Sequence, residues 1–95
     1  MTYKIQFDDR VYGDVAALSQ GNLKALKVCL EGLKQDPANH TVRPIAGHFC
    51  TKAHFAGDLR AIFYVDGETI FVVMVGRSTE ALYKTLFDEI PPNPA

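Results

Sequence analysis

Five residues carry most of the chemistry this sequence can offer: Lys52, His54, Arg60, Arg77 and Tyr83. Lys52 and His54 lie two apart in the strand-like run Cys50-Thr-Lys-Ala-His-Phe55, so both side chains leave one face of a pleat, ~7 Å apart. Arg60 opens the next strand after a turn and Arg77 closes the one after that, an order expected to stack the set on one open sheet face. Histidine titrates near neutral pH and can move protons. An arginine fork can hold two phosphate oxygens at once. Taken singly, each is more often a solvated surface group: Arg60 has Asp58 and Asp66 as simple ion-pair partners, and Tyr83 could pack a terminal helix on the sheet. The functional reading rests on the set.

The elements that must position these residues follow from hydrophobic periodicity. Tyr3-Lys-Ile-Gln-Phe7 alternates apolar with polar and predicts a first strand. Asp8 or Asp9 caps a helix in which Val11, Val15 and Leu18 recur, expected to end near Gly21. Asn22 is the expected cap of a second helix with the stripe Leu23, Leu26, Leu30 and Leu33, stopped at Asp36-Pro37. A polar connection through Asn39, His40 and Thr41 then leads into strands expected over 48–55, 59–65 and 69–75. Ala56-Gly57-Asp58 and Asp66-Gly67 are the turns, the second a strong hairpin signal because both residues tolerate positive φ. Gly76 is expected to break the last strand, and Ser78 or Thr79 to cap a short helix containing Ala81, Leu82, Leu86 and Phe87. The expected fold is α+β: a small antiparallel sheet, a meander plus the N-terminal strand, with two N-terminal helices on one face and a short C-terminal helix. Residues 1–90 form the expected domain and 91–95 a Pro-rich tail.

Ninety-five residues allow one core and shallow sites. No run approaches the ~20 apolar residues of a membrane span, and the first residues look like a strand, not a signal peptide; the expected location is the cytoplasm. Cys29 and Cys50 fall in apolar patterns that suit reduced, packed thiols. His48, Cys50 and His54 alternate and could offer three metal ligands on one face, but a structural zinc site needs four at paired spacings; neither metal nor cofactor is expected. A net charge of −1 argues against binding polyanions over the whole surface. The charges are uneven, however. Asp8, Asp9, Asp14, Glu31 and Asp36 crowd the first third, whereas Arg43, Lys52, Arg60 and Arg77 lie in later strands.

This order of elements resembles the RelE/ParE toxin superfamily, and in particular its RelE branch of messenger-RNA-cleaving toxins. The resemblance runs through Met1-Thr-Tyr-Lys-Ile-Gln-Phe-Asp-Asp-Arg10, Lys34-Gln-Asp-Pro37, Ile45-Ala-Gly47, Gly57-Asp-Leu-Arg60-Ala-Ile-Phe63 and Val75-Gly-Arg77, with Tyr83 six residues on. It implies a ribosome-dependent endoribonuclease that makes a 2′-hydroxyl attack the adjacent phosphate of messenger RNA, held in check by a cognate antitoxin. By that resemblance Lys52 is the base or its support, Arg60 and Arg77 bind phosphate, Arg77 aids the leaving group, and Tyr83 orients the nucleotide. His54 stands where the branch often carries a second lysine, trading a fixed charge for a group that titrates near neutrality. Two other functions share the fold: a ParE-like inhibitor of DNA gyrase, and a non-toxic binding protein. Self-association stays open.

Overall fold

The computed structural model describes residues 2–92, so 93–95 of the expected tail lie outside the described residues. The chain runs β1 (Lys4–Phe7), α1 (Asp9–Ala16), α2 (Gln20–Gln35), β2 (Val42–Pro44), β3 (Thr51–Phe55), β4 (Leu59–Asp66), β5 (Thr69–Arg77) and α3 (Glu80–Glu89). The five strands form one sheet in the order β1-β5-β4-β3-β2. The α+β arrangement and the two-helix crossover from β1 match the sequence reading. Two details differ. The sheet is mixed, because β1 pairs parallel to β5. It also has a fifth strand, β2, antiparallel to β3 within the segment read as a polar connection.

Helix boundaries follow local capping chemistry. The Asp8 carboxylate accepts the backbone N–H of Arg10 at the start of α1, and the Thr79 hydroxyl accepts that of Leu82 at the start of α3. The cap of α2 is Ser19, not Asn22: its hydroxyl accepts the Asn22 N–H at 3.1 Å, which starts the helix earlier and leaves α1 to end at Ala16 instead of near Gly21. Asp36 closes α2 as expected. In the Asp66-Gly67 hairpin turn, Gly67 has a φ of 61°, a conformation glycine adopts without steric cost.

Both faces of the sheet are covered, one fully and one in part. Leu26 and Leu33 of α2 and Val11 of α1 pack against Ala53, Phe55, Leu59, Ala61, Phe63, Ile70, Val72 and Val75 to form the main core. On the opposite face a smaller cluster joins Ile45, Cys50, Ile62, Val73, Met74 and Leu86, with Tyr83 and Ile90 packed beside it. The second cluster is where α3 lies. It leaves the β2–β3–β4 end of that face for polar side chains.

Strand β5 is not regular. Ile62 lies opposite Met74 but Phe63 lies opposite Val72, so Val73 is an extra residue, a β-bulge. Its effect on facing is visible in the two cores: Val72 and Val75 join the helix-side core, while Val73 and Met74 both join the α3 side. Every residue after the bulge is therefore turned to the face opposite the one that strict alternation would assign. Gly76 does not break the strand, which continues to Arg77. The Val75 N–H donates to Asp14 Oδ2 at 3.0 Å, tying α1 to the strand just past the bulge.

Removing that acceptor strands a half-buried backbone donor, a loss of about 1–3 kcal/mol. Asp14→Ala is expected to lower the urea-unfolding free energy by that amount, while Asp14→Asn, whose amide oxygen can still accept, retains most of it. Equal stability of Asp14→Ala and wild type would remove Asp14 as a support of the bulge.

Candidate functional site

Lys52 and His54 leave the α3-side face of β3, since their neighbours Ala53 and Phe55 are buried under the helices. Register then assembles their neighbours. Arg60 of β4 lies directly opposite His54, and Arg43 of β2 directly opposite Lys52. Side chains directly opposite in antiparallel pairs stand ~5 Å apart at Cβ, so Arg43, Lys52, His54 and Arg60 form a zigzag patch across β2, β3 and β4. Tyr83 of α3 sits at its border: Lys52 Nζ donates to the Tyr83 hydroxyl at 3.4 Å and lies 5.1 Å from the centre of its ring. The Tyr83 hydroxyl also lies 3.0 Å from Ser78 Oγ.

Arg77 is not in this patch. It lies opposite Leu59 and two residues after Val75, both helix-side core residues, and it lines a groove beside Asp14, Ala17 and Leu18 of α1. Its guanidinium donates to Asp58 Oδ1 at 2.7 Å, in a solvent-exposed ion pair. The bulge is the reason: had β5 alternated regularly through Val73, Arg77 would lie on the face of Arg60. Of the five residues singled out from sequence, the structure brings four together. Arg60 takes neither Asp58 nor Asp66 as a partner; its guanidinium donates to the Gly57 and Leu59 carbonyls at 3.0 and 2.8 Å.

Two residues join the site that sequence reasoning did not place there. Arg43 was visible only as a charge, because β2 was read as a connection; its guanidinium is held by the His40 and Val42 carbonyls. Ser78 was read only as one of two alternative caps. Its N–H donates to the Asp58 carbonyl at 2.8 Å, which anchors its backbone beside the site.

The electrostatics follow from three basic side chains around one histidine. Burial lowers the His54 pKa from its ordinary 6.5, and Arg60, Lys52 and Arg43 lower it further by repelling the imidazolium. His54 Nε2 and Arg60 Nε are both shielded from solvent without a partner among the described residues. Two adjacent unsatisfied groups favour an occupant that can accept from one and pair with the other. Burial pushes the Tyr83 phenol up, but hydrogen bonds from Ser78 and Lys52 and the charges of Lys52 and Arg60 outweigh it, so the net shift is downward. Both thiols are pushed up to about 11 by burial, which makes Cys29 and Cys50 poor nucleophiles.

His48 precedes β3 instead of sharing a strand with His54, and both its ring nitrogens are engaged. Nδ1 accepts the Cys50 N–H at 3.0 Å, so Nε2 carries the proton and donates to the Ile90 carbonyl at 2.8 Å. It ties the end of α3 to the segment before β3. Among the described residues no three His, Cys, Asp or Glu are grouped to hold a metal, and no helix is long and apolar enough to cross a membrane. A groove of about 700 Å³ lies between α2 and β3, lined mainly by apolar side chains such as Ala25, Val28, Cys29 and Phe55, with Asp36, His40 and His54 also in its lining.

This architecture is shared with solved structures of RelE proteins. A double mutant of the Escherichia coli toxin RelE in the free state superposes with a TM-score of 0.77 at 21% identity, covering 95% of this chain and 99% of that one. The chain has the RelE fold. A RelBE toxin–antitoxin complex from Mycobacterium tuberculosis gives 0.69 at 18% identity over 81% of this chain and 99% of that one. An archaeal RelE–RelB complex from Pyrococcus horikoshii gives 0.68 at 17%, over 84% and 99%. No protein-family model and no curated protein sequence matches the chain. With one residue in five identical, the RelE fold is kept here by burial pattern and topology.

The depressed His54 pKa has a stability consequence. The folded protein binds this proton less tightly than the unfolded chain, so the stability involved is fully present above pH 6.5 and lost as pH falls from 6.5 through the folded-state value. His54→Gln is expected to flatten that part of the acid limb. Urea unfolding of both proteins between about pH 7.5 and 5.5 checks it; parallel curves would mean that His54 does not titrate as described.

Proposed function

We propose that this protein is the toxin of a toxin–antitoxin pair and that it cleaves messenger RNA on the ribosome by 2′-hydroxyl attack. The observation that carries this reading is the patch itself: three basic side chains around a histidine whose pKa is depressed, bordered by a hydrogen-bonded tyrosine. The RelE fold supports the toxin class, and the antitoxin found with the mycobacterial and archaeal neighbours supports a protein partner of that kind.

Each group has a role its chemistry suits. Arg60 and Lys52 hold the non-bridging oxygens of the scissile phosphate and offset the charge that grows on them in the pentacoordinate transition state. Arg43 extends the same cationic surface toward the next phosphate. His54 is the general base. Its lowered pKa leaves the imidazole neutral at pH 7 and able to accept the 2′-hydroxyl proton. The new O2′–P bond forms as the P–O5′ bond breaks, which yields a 2′,3′-cyclic phosphate and a 5′-hydroxyl. The departing oxygen needs a proton, and Arg77 is engaged with Asp58 on the far face.

Translating ribosomes with a defined message test the reading. Arg60→Ala and Lys52→Ala are each expected to slow cleavage on the order of a hundredfold, the worth of one transition-state charge contact. Arg77→Ala and the distant Lys4→Ala should change it severalfold at most. Intact message and undiminished protein synthesis in the presence of wild-type protein would sink the proposal, and a persistent DNA supercoiling defect in cells expressing it would point to gyrase.

A further inference from the structure

We infer that Ser78 is a positioning residue that makes Tyr83 the proton donor to the departing 5′ oxygen, a role that deepens the ribonuclease reading and rests on it. The argument begins with what each group can donate. A lysine ammonium has donors only, so in the 3.4 Å contact between Lys52 Nζ and the Tyr83 hydroxyl the phenol oxygen accepts. Ser78 Oγ, 3.0 Å from the same oxygen, can donate or accept. When it donates, both lone pairs of the phenol oxygen are filled. The phenolic proton then has no partner among the described residues and is left for a group bound beside the patch.

The surroundings hold this arrangement in place. Ser78 is anchored by its N–H to the Asp58 carbonyl at 2.8 Å, immediately after β5, and Tyr83 is fixed in the first turns of α3 by its N–H to the Thr79 carbonyl at 3.3 Å. Gly76, opposite Arg60, leaves room for α3: a Cβ there would stand 3.2 Å from Leu82 Cδ1, tighter than an ordinary contact. The charged groups facing the phenol are Lys52 from β3 and Arg60 from β4. Both favour the phenolate that remains after transfer.

The step balances without any outside reagent. As the P–O5′ bond breaks, its electron pair takes the Tyr83 proton, giving the 5′-hydroxyl and a phenolate held by the Lys52 ammonium and the Ser78 hydroxyl. The proton that His54 took from the 2′-hydroxyl restores the phenol through water, and the enzyme returns to its starting state.

Two readouts on the full-length chain test this, one of them independent of RNA cleavage. In carbon NMR of tyrosine labelled at Cζ, assigned with Tyr83→Phe, Ser78→Ala is expected to move the Tyr83 pKa upward and Ser78→Thr, which keeps the hydroxyl, to leave it in place. In single-turnover cleavage on saturating ribosomes, Ser78→Ala should slow the reaction about tenfold, the worth of one hydrogen bond. Tyr83→Phe should slow it about a hundredfold or more, the worth of a general acid; half-saturation should be unmoved and Ser78→Thr active. An unchanged Tyr83 pKa in Ser78→Ala overturns the proposal, as does a Tyr83→Phe variant with wild-type rate. If wild-type protein leaves message intact while the NMR shift is present, the ribonuclease reading and the catalytic role fall together and only the Ser78–Tyr83 coupling survives.

Discussion

The single extra residue at Val73 decides how the rest of the molecule is arranged. A bulge lets two adjacent apolar residues, Val73 and Met74, both face α3, while Val72 and Val75 both stay in the helix-side core. Period-two alternation cannot put neighbours on one face, so a regular β5 would leave one of these valines or Met74 on the wrong side. The same shift turns Gly76 toward Arg60 and Arg77 away from it. An arginine at the register position of Gly76 would occupy the space that α3 needs. Asp14 supports the irregular segment from the other side by accepting the Val75 N–H.

One positive field shifts two titratable groups of the patch in the same direction. The cations that lower the His54 pKa also lower that of Tyr83, because each shift removes positive or adds negative charge next to Lys52 and Arg60. The result is a base that is free at neutral pH and an acid stronger than free tyrosine, without a carboxylate in the patch. This resolves the difficulty posed by the slightly acidic composition. A net charge of −1 describes the whole chain, but Coulomb interactions fall off with distance and are screened within ~10 Å in ordinary salt. What His54 experiences is Arg43, Lys52 and Arg60.

Much of the fold was legible in the residues themselves. The Asp8 and Thr79 caps, each one of two adjacent candidates in the sequence, the leucine stripe of α2 and its stop at Asp36-Pro37, and the Asp66-Gly67 turn are local signals, each set by groups within a few residues. The misreadings share a cause. Ser19 and Asn22 are both competent caps, and only the actual path of the chain between α1 and α2 selects Ser19. Strand β2 is three residues long with an arginine and a proline, and it exists because β3 offers it an edge. Its loss from the sequence reading also hid Arg43.

For the site, sequence alone determined which chemical groups are available and that Lys52 and His54 share a face, since that follows from their separation of two within one strand. Tertiary structure decided which other groups meet them. Register across β2, β3 and β4 brings in Arg43 and Arg60, and the packing of α3 brings Tyr83 onto Lys52 with Ser78 behind it. The bulge removes Arg77. A bulge leaves no reliable local mark, because it is selected by how two cores on opposite faces are best filled, and that balance is set by residues far apart in the chain.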